Sequence, residues 1–234
     1  MHSAGTKNRP YALFFGAVLF LATSCLQGRP LGAAFTELAV LGDGVQLCPG
    51  NHPTPGFAPF GVVRRHHGFS PLARRQDVWD GEGRCLVSSE SVHPPHVVDM
   101  PIASWLERGG FPVLETMYPG YVLGTGIALE DAMRFGVPLA VDVSHVHMQH
   151  AAGVISDATW RRLMDYDRIE EVHVSANDGQ HDQHALLAPD TFGLDWARAR
   201  LRAGTPTVLE CYFHRLGATS RQRQIDLVRD AGAS

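Results

Sequence analysis

The chain contains little cysteine and no paired cysteine motif: Cys25, Cys48, Cys85 and Cys211 are far apart and form no CxxC. That spacing excludes a zinc ribbon and argues against a disulfide scaffold, and it suits a reduced, cytoplasmic protein. There is no excess of positive charge either. A net charge of -4 and a pI near 6.3 give no general electrostatic reason to bind nucleic acid or an anionic membrane. No apolar run is long enough to span a bilayer. The nearest is "KNRPYALFFGAVLFLATSC", whose basic residues, short apolar stretch and small residues have the features of a secretory signal. The other reading is a buried first strand, apolar throughout because parallel strands are covered on both faces. The strand count favours that reading, so secretion ranks second.

What is present is an ordinary globular composition, 44% hydrophobic and 19% charged, over 234 residues, enough for one large domain. Histidine departs from the ordinary. There are thirteen, most of them between Arg64 and His184.

Strand-length apolar runs recur at fairly even spacing: "YALFFGAVLFL", "GVQLCP", "VVRRHHGF", "RCLVSSESVH", "PVLETMY", "PLAVDVSHVH", "EEVHVSA" and "PTVLECYF". Between them lie helix candidates "LGAAFTELAVLG", "IASWLERGG", "GIALEDAMRFG", "SDATWRRLMDY", "LDWARARLRAG" and "SRQRQIDLVRDAG". Thr125 and Ser156 are suitable N-caps, and Gly136 and Gly204 suitable stops. The links after the second and third strands are rich in Pro, Gly and Arg and read as loops. Eight strands alternating with helices predict a compact (β/α)8 TIM barrel with those two links shortened, a single domain over residues 1–234.

In such a barrel the active site forms at the carboxyl ends of the strands. His66 and His67 end the third strand; His93 and His96 follow the fourth. Glu115 ends the fifth, Asp142 the sixth with His145 beyond it. His173 lies in the seventh, Asp182 and His184 in its loop, and Glu210 ends the eighth. In "TVLECY" the two-residue alternation puts Glu210 on one face and Cys211 on the other, so Cys211 is not expected to be a ligand. Glu115, Asp142 and Glu210 converging in one apolar mouth would repel unless cations compensate them. Imidazoles interleaved with carboxylates suit Zn, Fe or Mn better than Mg or Ca.

The motifs "LET" (Glu115), "VDVSHVH" (Asp142, His145), "VHVSAND" (His173), "DQH" (Asp182, His184) and "VLE" (Glu210) resemble the xylose-isomerase-like barrel superfamily, with the endonuclease IV type of ligand pattern. "HHG" and "VHPP" supply the earlier histidines, assigned on this resemblance to His67 and His93. The resemblance runs from about Arg64 to the C-terminus. It implies two or three divalent metal ions, with Glu115 as a bridging carboxylate. The sugar isomerases and epimerases of the superfamily use a simpler site, corresponding to Glu115, Asp142, His173 and Glu210. "DQH" and "VHPP" go beyond what one metal requires. "HHG", "DVSHVHMQ", "IEEVHVS", "DQHAL" and "PTVLE" read more like the multinuclear non-heme iron-dependent oxidases than like endonuclease IV.

The expected function is therefore iron-dependent oxidation of a small metabolite or peptide residue, with Glu115, Glu210 and His184 as catalytic residues. Zinc or manganese are the other candidate metals, and a partner protein that delivers a peptide substrate fits this reading. The alternatives are a sugar (phosphate) isomerase or epimerase with one divalent metal, and a zinc-dependent phosphodiester hydrolase. Arg64, Arg65, Arg74 and Arg75 form a local basic cluster suited to a substrate carboxylate or phosphate. Tyr118, Tyr121, Tyr212 and His214 are expected to line the pocket or to pack at its mouth. His147 and His150 read as loop residues beyond the sixth strand, and His52 as a loop residue within reach of the rim. Asn177 and Asp178 either orient His184 or shape their turn.

Overall fold

A computed structural model of the chain describes residues 17–67, 90–94, 102–103 and 111–230. Among them seven parallel strands form one sheet: β1 Leu19–Ala22, β2 Gly44–Leu47, β3 Val63–Arg65, β4 Leu114–Glu115, β5 Leu139–Asp142, β6 Ile169–Val174 and β7 Thr207–Leu209. Their spatial order is β3-β2-β1-β7-β6-β5-β4. The α-helices are α1 Leu31–Ala39, α2 Gly126–Arg134, α3 Val143–Ala151, α4 Asp157–Met164, α5 Leu194–Arg202 and α6 Ala218–Arg229. A short 3-10 turn at Thr23–Leu26 follows β1.

The sheet is curled. Gln46 of β2 and Arg64 of β3 both hydrogen-bond Glu171 of β6. In a flat sheet three strand spacings would hold β2 and β6 roughly 14 Å apart, beyond the reach of these side chains. Parallel bridges His66↔Ser91 and Val92↔Leu114 join residues 91–92 to the ends of both edge strands. This segment is what the described residues retain of the expected fourth strand, whose residues 84–89 lie outside them. The described sheet thus has seven strands where eight were expected.

Local chemistry accounts for the element ends. Thr125 Oγ1 accepts from the Ala128 amide and Ser156 Oγ from the Thr159 amide, which caps α2 and α4. The sixth expected strand ends at Asp142 as expected, but α3 starts at the next residue where a loop was expected. Asp142 Oδ1 accepts from the amides of Ser144 (2.7 Å) and His145 (3.2 Å). An N-cap carboxylate satisfies donors that a continuing strand would have paired with a neighbour, so the chain turns into helix. His145, His147 and His150 are helical residues as a result.

β1 pairs with β7 on one side and β2 on the other, and all four of its residues are buried. The apolar run therefore ends in a central strand, while residues 1–16 lie outside those described. No helix among the described residues is long and apolar enough to cross a membrane. Leu21 is fully buried at the centre of this arrangement. Leu21→Ala should cost about 2–5 kcal/mol by removing buried methyl groups and leaving a cavity. Urea unfolding followed by circular dichroism measures it, and a loss below about 1 kcal/mol would argue against a central β1.

Candidate metal centre

Period-two alternation carries the site inward: Glu171 and His173 of β6 face the sheet interior, and Glu210 follows the last residue of β7. Across the sheet, β4 ends on Glu115 and β5 on Asp142. Four carboxylates, Glu115, Asp142, Glu171 and Glu210, are buried among the described residues. An ionised carboxylate removed from water needs positive charge and hydrogen bonds to replace its hydration.

Glu115 lies at the centre, and its two oxygens face different partners. Oε2 is 2.9 Å from His93 Nε2, 3.1 Å from His66 Nε2 and 3.9 Å from His67 Nε2. Oε1 is 3.2 Å from His173 Nδ1 and 3.6 Å from His145 Nδ1. His173 Nδ1 is also 3.6 Å from Glu210 Oε1. Three groups result among the described residues in which the ligand atoms lie within 4.8 Å of one another: His66, His67, His93 and Glu115; Glu115, Asp142, His173 and Glu210; and, beneath them, His66, Glu171 and His173. Each of these groups could hold a metal ion. Asp182 lies between two further imidazoles, with Oδ2 3.6 Å from His145 Nε2 and Oδ1 3.4 Å from His184 Nε2.

Every ligand expected from sequence, His67, His93, Glu115, Asp142, His145, His173, Asp182, His184 and Glu210, stands in this one assembly. All but Asp142 and His173 line a single cavity of about 180 Å³, together with Tyr118 and Tyr212. His67 and His184 have φ of 54° and 44°, a left-handed conformation that costs a non-glycine residue on the order of 1–3 kcal/mol. The strain at His184 is held by backbone pairing. Ala176 and Ala185 exchange two hydrogen bonds, and the Tyr212 amide donates to the His184 carbonyl.

The donor set fits divalent cations. Asp142 Oδ2, His145 Nε2, His184 Nδ1, His67 Nδ1 and His93 Nδ1 are buried with no hydrogen-bond partner among the described residues. Buried polar atoms are rarely left so, and here they collect around one cavity. Burial pushes the Glu210 carboxyl up to about 7, assisted by the charges of Asp142 and Glu115 and opposed by His173 and His184. Burial lowers His184, but the Asp182 hydrogen bond and the Glu210 charge outweigh it and lift the imidazole to about 9. The positive charge beside Glu210 comes from His173 and His184, and it does not offset burial there. On the other side, burial and then His66 and His93 hold the His67 imidazole well below its ordinary value.

Some residues stand elsewhere than expected. Arg64 is not free for substrate: its Nε donates to Glu171 Oε2. Arg74, Arg75 and His96 lie outside the described residues. Asn177 bonds His147 Nδ1, the Ser144 carbonyl and the Gly179 amide, while Asp178 bonds the Gln180 and His181 amides, so both shape the turn. His52 is exposed in the loop after β2, and its backbone pairs with Arg29 and Leu31. Cys211 packs outward, Sγ 3.7 Å from Gln224 Oε1 of α6. Sequence reasoning left out Glu171 and set His66 aside in favour of His67. The "EEVHVS" alternation did hold a signal, since Glu171 shares a face with His173.

No family model matches the sequence, and no curated protein matches it.

Asp142 has two separable tasks, since Oδ1 caps α3 while Oδ2 has no hydrogen-bond partner and lies 3.5 Å from His145 Nδ1. Asp142→Asn should keep the helix by circular dichroism and lose most of the rise in melting temperature caused by Zn²⁺ or Mn²⁺. Asp142→Ala should lose the cap as well, at about 1 kcal/mol more. A metal-induced rise unchanged in the Asn variant would remove Asp142 from the ligand set.

Proposed function

We propose that this protein is a metal-dependent enzyme on a closed (β/α)8 barrel of the xylose-isomerase-like kind, with a centre of two or three divalent cations. The bridges from residues 91–92 to both edge strands support closure. The observation that carries the metal reading is Glu115, whose two oxygens address two separate sets of imidazoles. A carboxylate so placed is suited to bridge two cations. Asp142, His173 and Glu210 would complete one site and His66, His67 and His93 the other. Asp182, His184 and His145 form the third constellation.

The reaction we assign is iron-dependent oxidation, by dioxygen, of a small metabolite or a peptide residue. Imidazoles interleaved with carboxylates suit iron, zinc or manganese better than magnesium or calcium. The cavity of about 180 Å³ takes a compact group, and no Lys or Arg side chain lines it among the described residues, which disfavours a nucleic-acid backbone. Iron held by these residues would supply the redox chemistry. The chain positions the substrate between Tyr118 and Tyr212 and holds the site in a buried, carboxylate-rich setting. His184 and Glu210, with Nδ1 and Oε2 4.0 Å apart, are placed to hold and move a proton beside the reacting group.

Elemental analysis and Mössbauer spectroscopy of protein purified without oxygen test the assignment. Two or more irons per chain with oxygen-sensitive spectra are expected. Asp182→Ala or His184→Ala should remove activity together with one metal. Stoichiometric zinc with no redox signal would replace oxidation by hydrolysis. A single Mn or Mg, with Glu210→Ala inactive and Asp182→Ala active, would replace it by sugar isomerisation. Metal content unchanged by Glu115→Ala and Asp142→Ala would sink all three.

A further inference from the structure

Beneath the centre a fully buried carboxylate, Glu171, takes hydrogen bonds from three other parts of the sheet and from its own strand. Gln46 Nε2 donates to Oε1 at 2.9 Å, Ser91 Oγ to Oε1 at 2.6 Å and Arg64 Nε to Oε2, while His173 Nε2 lies 2.6 Å from Oε1. The Arg64 guanidinium also sits over the Phe20 ring, 5.7 Å from its centroid. With donors at both oxygens Glu171 acts only as an acceptor, so the ring nitrogen of His173 that meets it must carry a proton.

The proton positions then follow along the network. In the neutral ring His173 has its proton on Nε2, which leaves the Nδ1 lone pair facing Glu115 Oε1 at 3.2 Å. The one proton of the Ser91 hydroxyl goes to Glu171, so that hydroxyl can only accept from His66 Nδ1, 2.6 Å away. The Ser91 carbonyl, 3.1 Å from the same nitrogen, is also an acceptor. His66 Nδ1 therefore carries the proton, and His66 Nε2 faces Glu115 Oε2 at 3.1 Å with its lone pair. In neutral rings, both contacts set lone pair against carboxylate, an arrangement that a cation between them resolves.

We infer that Glu171 is a positioning residue for both halves of the centre: it fixes the tautomer of His173 directly and that of His66 through the Ser91 hydroxyl, so that each ring presents an unprotonated nitrogen to a different oxygen of Glu115. The inference rests on the metal reading of the site and assigns a role to a residue outside its ligand shell. A carboxylate behind a ligating imidazole orients the ring and raises its basicity. Here one carboxylate serves two imidazoles from non-adjacent parts of the sheet.

The test is Co²⁺ titration of the metal-free full-length protein against a chromophoric chelator, with the melting temperature of the metal-free form measured alongside. Glu171→Gln should weaken both cobalt sites by roughly 10–100-fold and change the cobalt absorption spectrum. Ser91→Ala, which cuts only the arm to His66, should weaken one cobalt site and leave the other at wild-type affinity. A merely structural Glu171 would lower the melting temperature of the metal-free form and leave the cobalt affinity of the folded protein unchanged. That result for Glu171→Gln overturns the inference. If that variant does not fold, wild-type affinity at both sites in Ser91→Ala overturns it instead. Wild-type protein that takes up no cobalt, zinc, manganese or iron overturns the metal reading, and this inference with it.

Discussion

Four carboxylates are withdrawn from water in the interior of this curled sheet, and Glu171 is the one with a guanidinium against it. The surrounding architecture can be understood as compensation for that burial. Glu171 is satisfied by Arg64, Gln46, Ser91 and His173 together, whereas Glu115 meets imidazole nitrogens at both oxygens, a setting that a cation would complete. Around Glu210 the charges of His173 and His184 do not offset burial, and its carboxyl stays raised to about 7. Such a pocket could hold cations as a consequence of its packing.

The same constraint explains how the strands end. A parallel strand delivers a side chain inward at every second residue, and its last inward position opens at the carboxyl end of the curled sheet. Asp142 uses that position twice, as the helix cap that turns the chain and as a carboxylate oxygen turned toward the centre. His67 stands just after β3 and His184 in the loop after β6, and their left-handed backbones show that geometry at the site is maintained against local preference. The backbone pairing of Ala176 with Ala185 and of Tyr212 with His184 supplies the restraint.

The sequence by itself determined the parallel α/β class, the ends of β4, β5 and β7, and the convergence of Glu115, Asp142, His173, Asp182, His184 and Glu210. These were legible because apolar runs and two-residue alternation are local properties, and strand order within a barrel brings every strand end to one rim. The turn into α3 was not legible, because "VDVSHVH" has enough β-branched residues to continue a strand and only the Asp142 cap decides otherwise. Nor was the partnership of Gln46 with Glu171, 125 residues apart, or of Ser91 with Glu171, 80 apart. Alternation placed Glu171 beside His173 but left its partners unknown. Tertiary structure alone decided that Arg64 serves this buried carboxylate rather than substrate, and that His66 turns inward with His67. Pairing of buried polar groups depends on which distant strands the curled sheet brings together, and no local pattern encodes that distance.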